Sequence, residues 1–207
     1  LLDTVAPVGT VSINSGAAAT VSRSVALTLT GSDAGAGLDQ MRFSVDNGTT
    51  WSAWQAYATS ASVTLVDADG TSTVKYELRD KAGLSSVYSD TILLDRAAPT
   101  GTVAISGGAA YTSVTAVTLG LSVTDALSGL SDMRFSVNGT TWSAWQAYSA
   151  AASYTLASGD GTKTLYAQVR DLVGNVLAIN DTILLDTAAP TGGIIINNGD
   201  ATTTSRD

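Results

Sequence analysis

The chain contains no cysteine and no histidine. Without cysteine there is no disulfide framework and no thiolate metal site. Without either residue the commonest activated nucleophiles and general bases are missing, which sets an enzymatic reading aside. Charge is also scarce, at 14% of residues, and its sign is lopsided: 10 Lys and Arg against 18 Asp and Glu, a net charge of −8. Nucleic acid, whose phosphates call for a basic face, is an unsuitable partner for such a surface, and so is an anionic membrane. Glu is almost absent, Glu77 standing against 17 Asp. Asp favours turns and hard cations, so helix is expected to be a minor state. No apolar run approaches the roughly 20 residues that cross a bilayer, so no membrane insertion is expected in this stretch. Leu1-Leu2-Asp3 is not a signal peptide, and an export signal would lie outside the sequence. What the chain does have is a 44% hydrophobic fraction, enough for a core, and a Ser, Thr, Asn and Gly surface suited to the outside of a cell.

It also has a repeat. Met41 to Tyr57 returns as Met133 to Tyr148 with Asp46 or Asn47 left out, and the matches Pro7 to Pro99 and Pro99 to Pro190 extend the period over the whole chain. A period of this length, with turn signals at short intervals inside it, predicts sandwich-sized beads on a string. In the first copy seven alternating runs are separated by Gly, Asp, Asn and Ser clusters: Thr10 to Asn14, Val25 to Thr30, Met41 to Val45, Trp51 to Tyr57, Ala61 to Val66, Thr73 to Arg79 and Val87 to Leu94. Met41, Phe43 and Val45 share one face of a hairpin that turns at Asn47-Gly48. Seven short strands in this span predict an all-β chain of tandem seven-stranded immunoglobulin-like β-sandwiches. The expected boundaries are 1–6 for the tail of a preceding repeat and its linker, 7–97 and 98–188 for the two domains, and 189–207 for the first strand of a third, with Ile194 to Ile196 as that strand. Residues 191–207 would then be either a truncated domain or a donor strand for another molecule. The short linkers end in Pro, which limits the angles between neighbours.

Four motifs together carry a resemblance. They are the linker Asp186-Thr187-Ala188-Ala189-Pro190-Thr191-Gly192, the loop Asp125-Ala126-Leu127-Ser128-Gly129-Leu130, the Asn-Gly hairpin with Trp142-Ser143-Ala144-Trp145, and Arg170-Asp171-Leu172-Val173-Gly174-Asn175. In this combination the chain resembles the tandem bacterial Ig-like repeats of large secreted and cell-surface proteins. The resemblance implies an Ig-like fold in a stalk, adhesin shaft or surface filament, with no shared catalytic residues. The first copy departs from the pattern at Gly35 and Ala36, and at Leu84, where the second has Asn175.

Three groups of residues are candidates for chemistry. In an Ig-like sandwich the entering linker and two loops lie at one end, so Asp3, Asp33 and Asp80 should converge, as should Asp95, Asp125 and Asp171. Three carboxylates at a domain junction would suit calcium; the competing account has each Asp capping its own turn. Trp51 and Trp54 are three apart, so a regular strand would bury one and expose the other. An exposed Trp54 and Trp145 could stack on a surface glycan, whereas core packing or cover by Arg42 through a cation–π contact is the structural alternative. Asn47, Asn138 and Asn180 begin formal glycosylation sequons. Apart from calcium no cofactor is indicated. The expected partners are neighbouring repeats, other copies in a filament, or a glycan, all in an extracellular or bacterial cell-surface setting.

Overall fold

The computed structural model describes residues 2–196, 199 and 201. Sixteen strands are present among them and no α-helix. The first copy contributes β1 (Val8–Ile13), β2 (Ala19–Thr20), β3 (Ser24–Ser32), β4 (Leu38–Ser44), β5 (Gln55–Ala56), β6 (Ser60–Thr64), β7 (Gly70–Asp80) and β8 (Ser85–Leu94). The second contributes β9 (Thr100–Ile105), β10 (Tyr111–Thr112), β11 (Ala116–Thr124), β12 (Leu130–Ser136), β13 (Gln146–Ala147), β14 (Ala151–Thr155), β15 (Gly161–Asp171) and β16 (Val176–Leu185).

Each copy is a β-sandwich. A three-stranded sheet β1-β3-β6 packs on a five-stranded sheet β2-β8-β7-β4-β5, and β9-β11-β14 packs likewise on β10-β16-β15-β12-β13. The alternation that predicted the strands is also what builds the core. Val25, Leu27 and Leu29 point inward from β3, while Ser24, Ala26 and Thr28 between them are exposed. Met41 and Phe43 are buried in one core with Ile13, Leu78 and Leu94; Met133 and Phe135 are buried in another with Ile105, Val169 and Leu185. The two phenylalanines therefore belong to separate interiors.

The count of seven strands holds once the first is seen to be split. After β1 pairs with β3, the chain turns at Asn14, Ser15 and Gly16, all at positive φ, and β2 crosses to pair parallel with β8 in the opposite sheet. One strand thus serves both sheets. Asp90 reinforces the crossing: its Oδ2 accepts the backbone N–H of buried Ile13 at 2.8 Å, and Asp181 does the same for Ile105 at 2.7 Å. These bonds tie one sheet to the other in a fold that has no disulfide to do so.

Two strand expectations need correction. Only Gln55–Ala56 and Gln146–Ala147 of the expected Trp51 to Tyr57 run and its counterpart form ladder bonds. Ser52 is the physical reason. Its Oγ accepts the N–H of Phe43 at 3.0 Å and its own N–H reaches the Phe43 carbonyl at 2.8 Å, so one residue satisfies both groups and the chain leaves the ladder. Ser143 does the same for Phe135. Ile194 to Ile196 form no strand; they are exposed, Ile194 at 88%, and no described strand pairs with them. The rest of the segment expected to begin a third repeat or act as a donor, 197–198, 200 and 202–207, lies outside the described residues, as does residue 1.

Candidate functional site

The junction carboxylates do converge. Asp3, Asp33 and Asp80 each bring an oxygen to within 4.8 Å of the other two, and so do Asp95, Asp125 and Asp171. The topology explains this. Asp33 and Asp125 follow β3 and β11, Asp80 and Asp171 close β7 and β15, and the linker residue enters between those two loops.

Much of the bonding at each cluster is turn capping. Asp33 Oδ1 accepts the N–H groups of Gly35 and Gly37, and Asp125 Oδ1 those of Leu127 and Gly129. The linker carboxylates do more than cap. Asp3 accepts Val5 N–H with Oδ1 and, across the loop, Ala36 N–H with Oδ2 at 2.6 Å. Those two backbone donors, Val5 first, hold its pKa below the usual carboxylate value. Asp95 repeats the arrangement with Ala97 and Ser128.

The third carboxylate separates the copies. Asp80 Oδ1 accepts Leu84 N–H, but its Oδ2 is buried without a hydrogen-bond partner, as is Asp33 Oδ2. Asp171 Oδ1 takes the N–H groups of Val173, Gly174 and Asn175, and its Oδ2 takes the Asn175 amide at 2.7 Å. A buried carboxylate oxygen left without a donor is costly. The first cluster thus has the chemistry of a hard-cation site, anionic oxygens and no cysteine or histidine, with two acceptor oxygens unspent.

The linker grips both sides. The backbone N–H of Asp95 donates to Thr20 in the first copy while its side chain enters the second. The next residue, Arg96, turns back to bind Asp67 at 2.7 Å and Asp69 at 2.6 Å in the first copy. At the far end of the second copy Thr187 donates to Asp160 with both its N–H and its hydroxyl. Arg96, ahead of the nearby charge of Arg23, lowers the pKa of Asp67. The sequence offered no clear sign of this clamp beyond the lone basic residue in the linker.

The tryptophans take neither of the orientations a regular strand allows. Because 51–54 leave the ladder, Trp51 and Trp54 end on the same side, both half-buried, outside either core. The Arg42 guanidinium lies 4.9 Å from the Trp51 centroid and 4.4 Å from that of Trp54; Arg79 lies 4.2 Å from Trp54. Trp54 is thus contacted by two guanidinium groups, one from each of two neighbouring strands. Trp142, Arg134, Trp145 and Arg170 build the same stack at 5.0, 4.3 and 4.5 Å. The rings on which a sugar would stack at Trp54 and Trp145 are therefore already engaged by two arginines each. The Arg42 cover was anticipated; Arg79 and Arg170 were missed, although Arg42 and Arg79 lie directly opposite polar partners, Glu77 and Gln40 respectively, in the neighbouring strand.

The sequon asparagines are all exposed but differ in setting. Asn47 has φ 59° and Gly48 φ 92°, the pair of positive angles that a tight hairpin turn requires. Asn138 is not at positive φ; its Oδ1 accepts the N–H groups of Thr140 and Thr141 and the Ser136 hydroxyl. Asp46 makes the matching bonds to Ser44 and Thr50. Asn47 is therefore the residue the second copy lacks, and Asp46 is the counterpart of Asn138. Asn180 lies in β16 opposite Tyr166.

No protein-family model matches the chain, and no curated protein matches it. Several solved structures are similar to parts of the chain. The fibronectin(III)-like modules of Clostridium thermocellum CbhA are 14% identical over 90% of this chain and 100% of theirs, with a TM-score of 0.45. A tetra-tandem repeat in the extending region of a large adhesion protein is 22% identical over 90% of this chain and 51% of that one, with a TM-score of 0.31. Carbohydrate-binding modules of the β-sandwich superfamily are 15% identical over 89% of this chain and 100% of theirs, with a TM-score of 0.41. By fold the chain is a pair of β-sandwich modules, each a three-stranded sheet packed on a five-stranded one.

Proposed function

We propose that this chain is a non-catalytic spacer from a repetitive extracellular or bacterial cell-surface protein, a length of stalk, adhesin shaft or filament whose joints are held by the linker and stiffened by calcium. The observation that carries the reading is the linker itself. Consecutive residues Asp95 and Arg96 send their side chains to opposite sides of the joint, which suits a part that must keep its neighbours at a set angle. At each cluster the carboxylates would supply the oxygen ligands, with affinity in the range of extracellular modules, on the order of 10⁻⁴ to 10⁻³ M. The low charge, the Ser and Thr surface and the lack of cysteine and histidine agree with a mechanical part better than with a reactive one.

Residual dipolar couplings of the two-copy chain would test the reading. With millimolar calcium the two copies should share one alignment tensor, and Arg96→Ala together with a chelator should separate the tensors. Independent tensors in the wild-type protein with calcium would remove the spacer reading.

A further inference from the structure

The two carboxylate clusters differ in how their third carboxylate is bonded, and the difference bears on what they bind. At the position after the shared glycine the first copy has Leu84 and the second has Asn175. The Asn175 amide donates one hydrogen to Asp171 Oδ2 at 2.7 Å and the other to the Asp95 carbonyl at 3.2 Å. It therefore joins the closing loop of the sandwich to the entering linker. Leu84 can offer neither bond, and Asp80, only 1% exposed, keeps a buried Oδ2 without a partner. Asp33 Oδ2, in the same cluster, is buried and unpartnered as well.

Resting on the cation reading above, we propose that the clusters are not equivalent: a calcium ion is the missing partner at Asp3, Asp33 and Asp80, and Asn175 is its built-in substitute at Asp95, Asp125 and Asp171. The physical basis is what each oxygen must give up. In the first cluster a hard cation would meet two carboxylate oxygens that hold no hydrogen bond, so coordination removes nothing and relieves the crowding of three like charges. In the second a cation would have to displace the amide from Asp171 Oδ2 and break its bond to the Asp95 carbonyl. That competition should weaken binding by tenfold or more. It also means that the closing loop of the second copy is already tied to its linker when calcium is absent, whereas the first copy has only the Asp3 bond to Ala36.

Calorimetric titration of calcium chloride into the two-copy chain, alongside thermal melts in a chelator, would test the inference. The expected result is one equivalent of binding, with any second equivalent at least tenfold weaker. Leu84→Asn should weaken the first equivalent by tenfold or more and raise the melting temperature in chelator by several degrees. Asn175→Leu should lower that melting temperature and bring a second equivalent of similar strength. Should Asn175→Leu fail to fold, Leu84→Asn decides alone. Two equivalents of equal strength in the wild type, or an unchanged first equivalent in Leu84→Asn, would overturn the inference and leave the cation reading standing. No calcium binding by the wild type would overturn both.

Discussion

The two copies share one backbone plan and reach it with different side chains. In the first core Phe43 stacks on Tyr76 from β7, with centroids 5.8 Å apart; in the second Phe135 meets Tyr154 from β14 edge-on at 5.9 Å. The position matching Tyr76 is Ala167, and the one matching Tyr154 is Val63. The large ring has moved from one sheet to the other while the space between them stays filled, as close packing demands. The outer stack shows the same kind of exchange. Arg42 binds Glu77 at 2.6 Å and Arg79 binds the Gln40 side-chain carbonyl, whereas Arg134 binds Gln168 at 2.8 Å and Arg170 binds Asp132 at 2.8 Å. Each stack keeps two guanidinium groups and one carboxylate, but the carboxylate sits at opposite ends. What the fold specifies here is a filled volume and a charge count, and not which strand supplies them.

The largest test of that view is in the core. Tyr76→Ala should destabilise the first copy by about 3 to 5 kcal/mol in a denaturant melt, and adding Val63→Tyr should recover a substantial part. No recovery would mean that the two sites are independent. The Tyr76 hydroxyl is buried without a partner, and burial pushes its pKa up, so the ring and not the hydroxyl is expected to carry the stability. Next in size is the stack. Glu77→Gln should cost about 1.5 kcal/mol by removing a charge-assisted bond from a nearly buried site, and the further change Gln40→Asp should restore it by copying the arrangement of the second copy. A double-mutant cycle with no coupling would show that the exchange is incidental.

The smallest effect is local and depends on pH. Asp46 has its pKa lowered to about 2, mainly by the Thr50 hydroxyl and N–H, while its counterpart Asn138 does not titrate. A depressed carboxylate contributes stability above its unfolded value near 4 and loses it as the pH falls towards 2. Across that window, amide exchange at Thr50, corrected for its intrinsic pH dependence, should lose protection relative to Thr141. Equal loss at both sites would assign the change to the whole sheet.

The β pattern was legible because burial on one face leaves a period of two, and the carboxylate clusters were legible because turn residues and strand order fix which loops share an end. The tryptophans were not. Their orientation depends on Ser52 using its side chain in place of a strand partner, a bond that no spacing rule reveals. The inserted Asn47 was ambiguous for a similar reason, since Asp46 and Asn138 differ in residue type and agree only in the bonds they accept. The aromatic exchange was visible as single unmatched residues, but their pairing required the facing sheets to be known.

The anchoring of Asp95 and Arg96 in opposite directions has a practical consequence for anyone dividing such a chain. A fragment cut at Pro99 would keep every strand of the second sandwich yet leave behind the carboxylate that closes its upper loops, and one cut at Leu94 would strip the first sandwich of the arginine that ties down its 67–69 turn. The unit that folds and the unit that is fully bonded are out of phase by a few residues, so no single cut yields a whole copy of each.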